Sequence, residues 1–537
     1  MKKTLLSILC ICSLISAYTQ AKPKLVVGIM IDQMRWDYLY RYQNRFGPDG
    51  FKRLMMQGLN CENALIPYTP TYTAAGHACV YTGSVPSLHG IIGNAWYSKE
   101  LRRTVYCTED DSVQTVGSTG IAGKQSPKNL WANTISDEMR LSNNFRSKTI
   151  AIAIKDRGSI LTGGHTSNGS YWFDNVSGGF ITSSFYMNAL PAWVVNFNSK
   201  KLPDMYLNQD WKTLYPMNSY LQSTTDAKPY EDALPGEDNT FEHNIRDIKT
   251  NKYESFKYTP GGNSYTFDMG REAIKSEGLG KDQYTDMLAL SFSSPDYIGH
   301  KFGPNSIEVE DTYLRFDKDL ASFLNYLDET VGKGQYLIFL TADHGVAQIP
   351  GFMKENRLPA GIMNDALIMQ QVNDSVKKEF GISNLIDYVL NYQVYLNEHV
   401  MVQSKASGPV IKNYIIQKLL QYPGIAHAVD LATLNNFTLP QQVKDMLANG
   451  YSPKRSGDIQ FIFKPQWFDG WDRGTTHGVW NPYDSHIPLI WYGTGIKPGK
   501  LYREVYMTDI APTLAAMLQI QMPNASIGKV IEEVFDK

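Results

Sequence analysis

Five short runs of almost uninterrupted apolar residues punctuate the chain, each too short for a helix and too continuous for a strand with one wet face. They are Lys24-Leu-Val-Val-Gly-Ile-Met-Ile-Asp32, Lys148-Thr-Ile-Ala-Ile-Ala-Ile154, Met287-Leu-Ala-Leu-Ser-Phe292, Tyr336-Leu-Ile-Phe-Leu-Thr341 and Pro488-Leu-Ile-Trp-Tyr492. Such runs mark strands buried on both faces of a parallel sheet. Helical patterns lie between several of them. The clearest puts Val309, Tyr313, Phe316, Leu320, Leu324, Leu327 and Val331 on one stripe, with charged residues opposite. The pattern predicts an α/β fold with a central, mostly parallel sheet flanked by helices.

Two segments break the alternation. Residues 163–281 are rich in Tyr, Asn, Ser, Gly and Pro with few periodic stretches, and are read as a cap insertion. Residues 351–456 carry Tyr392-Gln-Val-Tyr-Leu396 and a helical run from Pro409 to Gln421, and are read as a small α+β insertion. The sheet is expected to resume near Asp458-Ile-Gln-Phe-Ile-Phe463, so the core comprises 22–162, 282–350 and 457–537. Residues 1–21 open with Met1-Lys-Lys3, continue apolar from Leu5 to Ala17 and turn polar at Tyr18, the plan of a signal peptide. That core is shorter than the roughly 18 residues a membrane span needs. A periplasmic or secreted product without a membrane anchor is therefore expected.

Composition adds exclusions. A net charge of -2 without Lys/Arg runs argues against a nucleic-acid partner. Beyond the signal segment only Cys61, Cys79 and Cys107 remain, which allows at most one disulfide and no disulfide framework.

Ligands of parallel α/β sheets bind beyond the carboxyl ends of the strands. There the sequence offers Asp32, then Lys155-Asp-Arg157, then Asp296 and His300, then Asp343-His344, while Gly474-Thr-Thr-His-Gly478 brings His477. Asp343 and His344 converge if they lie in the turn after the strand, and Asp296 and His300 are close enough to share an ion from a loop. Three carboxylates and three histidines form a mixed N/O set that suits zinc. Two ions sharing it make a site for in-line displacement at phosphorus. Singly, each residue has a plainer reading: Asp32 as a helix cap, Asp296 and His300 as turn and surface residues, Lys155, Arg157 and Asn94 as solvated turns. Convergence at strand ends sets them apart from His77, His89, His165, His243, His399, His427 and His486, which are read as structural or solvent-facing.

In Pro70-Thr-Tyr-Thr-Ala-Ala-Gly-His77 a hydroxyl opens a helix after a Pro-rich loop. A threonine alcohol attacks at neutral pH only when activated, and metal coordination is one route. Thr73 is preferred over Thr71 because Ala74 and Ala75 open a helix whose amides are available to a phosphate oxygen.

These stretches, with Gly83-Ser-Val-Pro-Ser87, Gly93-Asn-Ala-Trp-Tyr97 and Gly303-Pro-Asn-Ser-Ile-Glu-Val-Glu-Asp311, span nearly the whole chain. Together they resemble the alkaline phosphatase superfamily and, within it, the PafA-type phosphate-insensitive monoesterases. The resemblance implies two Zn2+, one held by Asp296, His300 and His477, the other by Asp32, Asp343, His344 and the alkoxide of Thr73. It also implies that Asn94, Lys155 and Arg157 bind the nonbridging phosphate oxygens, and that phosphate monoesters are hydrolysed through a phosphothreonine. The expected partners are small-molecule phosphate monoesters, and the chain is expected to be monomeric. A phosphodiesterase or nucleotide pyrophosphatase of the same superfamily is the nearest rival, opposed by Lys155 and Arg157. No formylglycine motif supports a sulfatase, and a periplasmic metal or phosphate binder would leave the nucleophile without a purpose.

Overall fold

The computed structural model describes residues 22–234, 238–248 and 250–535. The expected signal peptide, 1–21, lies outside them. Ten strands form the main sheet: β1 (Leu25–Ile31), β2 (Leu59–Cys61), β3 (Thr115–Val116), β4 (Thr149–Ala153), β5 (Gly169–Phe173), β6 (Phe180–Ser183), β7 (Asp286–Phe292), β8 (Tyr336–Thr341), β9 (Leu489–Gly493) and β10 (Gly499–Leu501). Their spatial order is β10-β2-β9-β8-β1-β7-β4-β5-β6-β3. The five central strands from β8 to β5 run parallel. All residues of β1, β4, β7 and β8 are buried, as their continuous apolar runs require. The α/β expectation holds, but the sheet is mixed. The run at Pro488–Tyr492 becomes β9, antiparallel to β8. A run buried on both faces reads the same in either direction.

Helices α1 (Thr73–Thr82), α2 (Asp156–Gly163), α3 (Gly261–Glu277), α4 (Ser294–Phe302) and α5 (Ile307–Leu327) cover the sheet. On α5 the predicted stripe is buried, and its last member, Val331, is held by a wider turn over Asp328–Gly332. The opposite side is exposed at Lys318, Ser322 and Asn325, but its first turns are buried. Arg45 pairs with Glu310 at 2.8 Å, Arg315 with Asp311 at 2.6 Å, and Trp211 Nε1–H donates to Asp311 at 2.8 Å. These buried carboxylates persist because each is paired or hydrogen-bonded.

The segment 163–281, expected as a cap, supplies β5 and β6 to the main sheet and α3 to its face. Its aromatic-rich irregular stretches hid these short elements from periodicity. The 351–456 insertion builds a separate sheet together with the strand that follows it, in the order Ile386–Leu390, Gln393–Leu396, Ile459–Phe463, Ile425–Asp430. Ile459–Phe463 was expected to resume the main sheet; it instead completes this one, over a hydrophobic cluster of its own built from residues such as Val376, Ile415 and Phe461. Cys61, Cys79 and Cys107 are free and buried. Burial pushes the thiols of Cys61 and Cys107 up to about 12, which leaves them inert.

Candidate active site

The carboxyl ends of β1, β7, β8 and β4 open onto one buried cluster. Asp32 follows β1, Asp343 and His344 follow β8, and Lys155 follows β4 as the residue preceding α2. Asp296 and His300 are not in a loop as expected. They lie in α4 at i and i+4, the spacing that puts two side chains on one helix face. His477 arrives on the coil after Gly474. Asp32, Asp296, Asp343, His344 and His477 are all buried, with His300 partly so.

The three histidines are fixed alike. His300 Nδ1–H donates to the Thr475 carbonyl at 2.8 Å, His344 Nδ1–H to the Gly345 carbonyl at 3.0 Å and His477 Nδ1–H to the Thr71 carbonyl at 2.8 Å. A carbonyl only accepts, so each Nδ1 carries a proton; burial keeps His344 and His477 neutral, so their Nε2 atoms present lone pairs, the arrangement that orients an imidazole for a metal. His300 Nε2 faces Asp296 Oδ1 at 3.1 Å, and that carboxylate outweighs burial to raise the pKa of His300. Donor atoms of Asp296, His300 and His477 lie within 4.8 Å of one another, as do those of Asp32, Asp296 and His344. Asp296 thus faces both groups. Asp343 joins the second through His344, whose Nε2 is 3.5 Å from Asp343 Oδ2 and 3.5 Å from Asp32 Oδ1.

Those two carboxylate oxygens are buried without a hydrogen-bond donor. Acceptor-only oxygens facing a neutral imidazole in a dry interior call for a cation, and this donor set fits divalent metal. The electrostatics agree. Burial, reinforced by Asp296, raises Asp32; burial, reinforced by Asp32, holds Asp343 well above the usual carboxylate range. Burial also acts on Asp296, but His300 and Lys155 outweigh it and hold that carboxyl well below the usual range. Burial pushes His344 down to about 3, so it is neutral and able to ligate.

Thr73 begins α1, its Oγ1 3.3 Å from His344 Nε2. Thr71 is engaged elsewhere, its hydroxyl donating to the Val479 carbonyl at 3.1 Å. The amide of Ala74, expected to be free for phosphate, donates instead to Asn94 Oδ1 at 2.9 Å. That bond aims the Asn94 amide group beside Thr73. Lys155 Nζ donates to Asp32 Oδ2 at 2.7 Å and to Asp296 Oδ2 at 2.5 Å, where the two ligand groups meet. Arg157 Nη1 donates to the Tyr106 oxygen at 3.0 Å, and its buried Nε has no partner. A partly buried guanidinium with an unused donor suits an oxyanion.

Sequence reasoning gave no role to three residues at this centre. Gln33, in a left-handed conformation (φ 65), donates from its backbone to Asp343 Oδ1 at 3.1 Å and from Nε2 to Asp296 Oδ1 at 2.7 Å. Tyr106 supports Arg157 and donates to Asp156 Oδ1 at 2.6 Å. His77 lies 3.4 Å from Asp343 Oδ2. Gln33 and His77 were signalled only by spacing, directly after a strand-end Asp and four residues after Thr73; nothing in sequence links Tyr106 to the site.

The chain matches the family described as type I phosphodiesterase / nucleotide pyrophosphatase over residues 26–484. It is 51% identical over 518 residues to alkaline phosphatase PhoV of Synechococcus elongatus, covering 96% of this chain and 94% of that protein. A protein of Myroides odoratus named calcium-transporting ATPase is 48% identical, covering 96% of this chain and 95% of its own. Alkaline phosphatase PafA of Elizabethkingia meningoseptica is 45% identical, covering 100% and 99%. A crystal structure of wild-type alkaline phosphatase PafA superposes with a TM-score of 0.94, covering 96% of this chain and 99% of that one.

Proposed function

This chain belongs to the type I phosphodiesterase / nucleotide pyrophosphatase family and is a phosphoric monoester hydrolase of the alkaline phosphatase kind; from that premise we propose an exported, zinc-dependent enzyme that works through a phosphothreonine at Thr73. The observation that carries the reading is the Thr73 hydroxyl at 3.3 Å from His344 Nε2, beside the unpartnered oxygens of Asp32 and Asp343. Asp296, His300 and His477 would hold one zinc, and Asp32, Asp343, His344 and Thr73 the other. Zinc bound there supplies Lewis-acid charge for the attacking and leaving oxygens.

The chain's own groups do the rest. Thr73 Oγ attacks phosphorus and loses its proton, the ester P–O bond breaks, and the alcohol departs once protonated. Water then attacks the phosphothreonine, releasing phosphate and returning the proton to Thr73. The Asn94 amide and the Arg157 guanidinium take nonbridging oxygens, and Lys155 adds fixed positive charge beside them. A monoester dianion brings two charges to this pair of cations, whereas a diester brings one and an extra substituent.

Thr73→Ala should lower turnover of an aryl phosphate by about 10^4-fold or more. Full activity in Thr73→Ala, with loss in Thr71→Ala, would overturn the nucleophile. Chelation should abolish turnover and added zinc restore it. Lys155→Ala with Arg157→Ala should depress hydrolysis of a monoester far more than that of its methyl diester; loss confined to the diester favours the phosphodiesterase reading. No helix among the described residues is long and apolar enough to cross a membrane.

A further inference from the structure

Strands Ile386–Leu390 and Gln393–Leu396 of the insertion are joined by a two-residue turn, Asn391-Tyr392, with φ of 57° and 60°. Left-handed conformation at both central residues matches the twist of a hairpin, and the usual occupants are Asn followed by Gly. Asn391 obeys that rule. A bulky tyrosine in the second place breaks it, and such strain persists only where the surroundings fix it.

The surroundings are the active site. Tyr392 is buried, and its hydroxyl donates to the His477 carbonyl at 3.0 Å. Asn391 is buried too, and its Nδ2 donates to the Ala95 carbonyl at 2.7 Å, next to Asn94. Each contact faces a glycine beside a functional residue. A Cβ on Gly478 (φ +117) would lie 3.0 Å from Tyr392 Oη, and one on Gly93 would lie 2.8 Å from Asn391 Nδ2. The glycines that flank His477 and Asn94 are thus the places where this turn packs. The His477 ring stacks on His344, with ring centroids 3.5 Å apart, and Tyr72 meets it edge-on at 5.7 Å. Asn391 and Tyr392 also line a cavity of about 670 Å³ with His300, Thr475 and Thr476.

We propose that the Asn391-Tyr392 turn positions two loops of the catalytic centre at once: Tyr392 fixes the His477 loop for metal binding, and Asn391 fixes the Asn94 loop for phosphate binding. The inference rests on the phosphatase reading above. It makes the 351–456 insertion part of the centre rather than an ornament on it, with both residues acting through others.

The test uses the full-length, zinc-loaded enzyme. Tyr392→Phe removes one hydroxyl. It should speed zinc loss to a chelator by about ten-fold, the low end of what a supporting partner of a metal ligand contributes, with turnover restored by excess zinc. Asn391→Ala should leave zinc loss unchanged while raising KM for an aryl phosphate several-fold. Tyr395→Phe is the control, since that hydroxyl of the same hairpin donates to the Arg455 carbonyl at 3.1 Å, away from the centre; both readouts should stay at wild type. Wild-type zinc loss in Tyr392→Phe, or equal effects from all three variants, would overturn the proposal. The phosphatase reading fails separately, through an active Thr73→Ala.

Discussion

His77 follows Thr73 by one turn of α1 and is buried. Its Nδ1–H donates to the Thr73 carbonyl at 2.8 Å and points near Asp343 Oδ2 at 3.4 Å, while Nε2 accepts the Ser291 hydroxyl at 2.7 Å. Burial pushes its pKa down to about 4, so the ring is neutral and these roles are fixed. His77→Ala strands the Ser291 hydroxyl in the interior and leaves the Thr73 carbonyl with its intrahelical bond alone. It should cost about 1–3 kcal/mol in denaturant unfolding, and should also lower turnover by loosening the helix start that carries Thr73. An unfolding midpoint equal to wild type would count against this role. Asp32, Asp296, His300, Asp343, His344 and His477, which the fold gathers into one cluster, were legible as candidates because each is a donor-type side chain beside a strand end or glycine. His77 was not, because its partners come from α1, β7 and the coil after β8, which no single spacing brings together.

Among the elements, α1 shows how backbone contact places Thr73, the proposed nucleophile. A Cβ on Gly76 would come within 2.6 Å of both the Asp343 carbonyl oxygen and its Cβ. Alanine would favour the isolated helix by about 1 kcal/mol. Gly76→Ala should nonetheless impair the enzyme, because α1 must move away from the turn that carries Asp343 and His344. A displacement near 1 Å can cost on the order of 10^2-fold in rate. The measurement is kcat alongside the melting temperature: activity should fall even if the melting temperature holds, and unchanged kcat would refute the alignment. At this scale the buried strands and the α5 stripe were readable from continuous or periodic apolar residues. Strand direction and sheet membership were not. β9 and Ile459–Phe463 carry the same kind of run as β8, and only long-range pairing decides which neighbour each takes. Asp296 and His300, expected in a loop, lie in α4, a helix of 9 residues too short to show a clear periodicity, with Pro295 in its first turn, where proline is at home.

For the whole molecule, the buried acids set how stability responds to pH. Burial first, and the nearby Glu308 second, push Glu231 up to about 9. Above its ordinary value of 4.5 the unfolded chain releases this proton while the folded chain keeps it. The contribution of Glu231 is therefore present in acid and is lost as pH rises toward about 9. Glu231→Gln should show a shallower fall of melting temperature across that range, with the two curves meeting at the acid end. Parallel curves would exclude Glu231 as the cause. The ordering of the sheet carries a different consequence. Its two outermost strands, β10 and β3, are only three and two residues long. A neighbouring molecule therefore finds few unpaired amides and carbonyls to extend, which is how natural sheets resist edge-to-edge growth. Concentrated solutions of the protein should accordingly stay free of fibrillar aggregates, despite a ten-stranded sheet whose central strands would be potent templates if exposed.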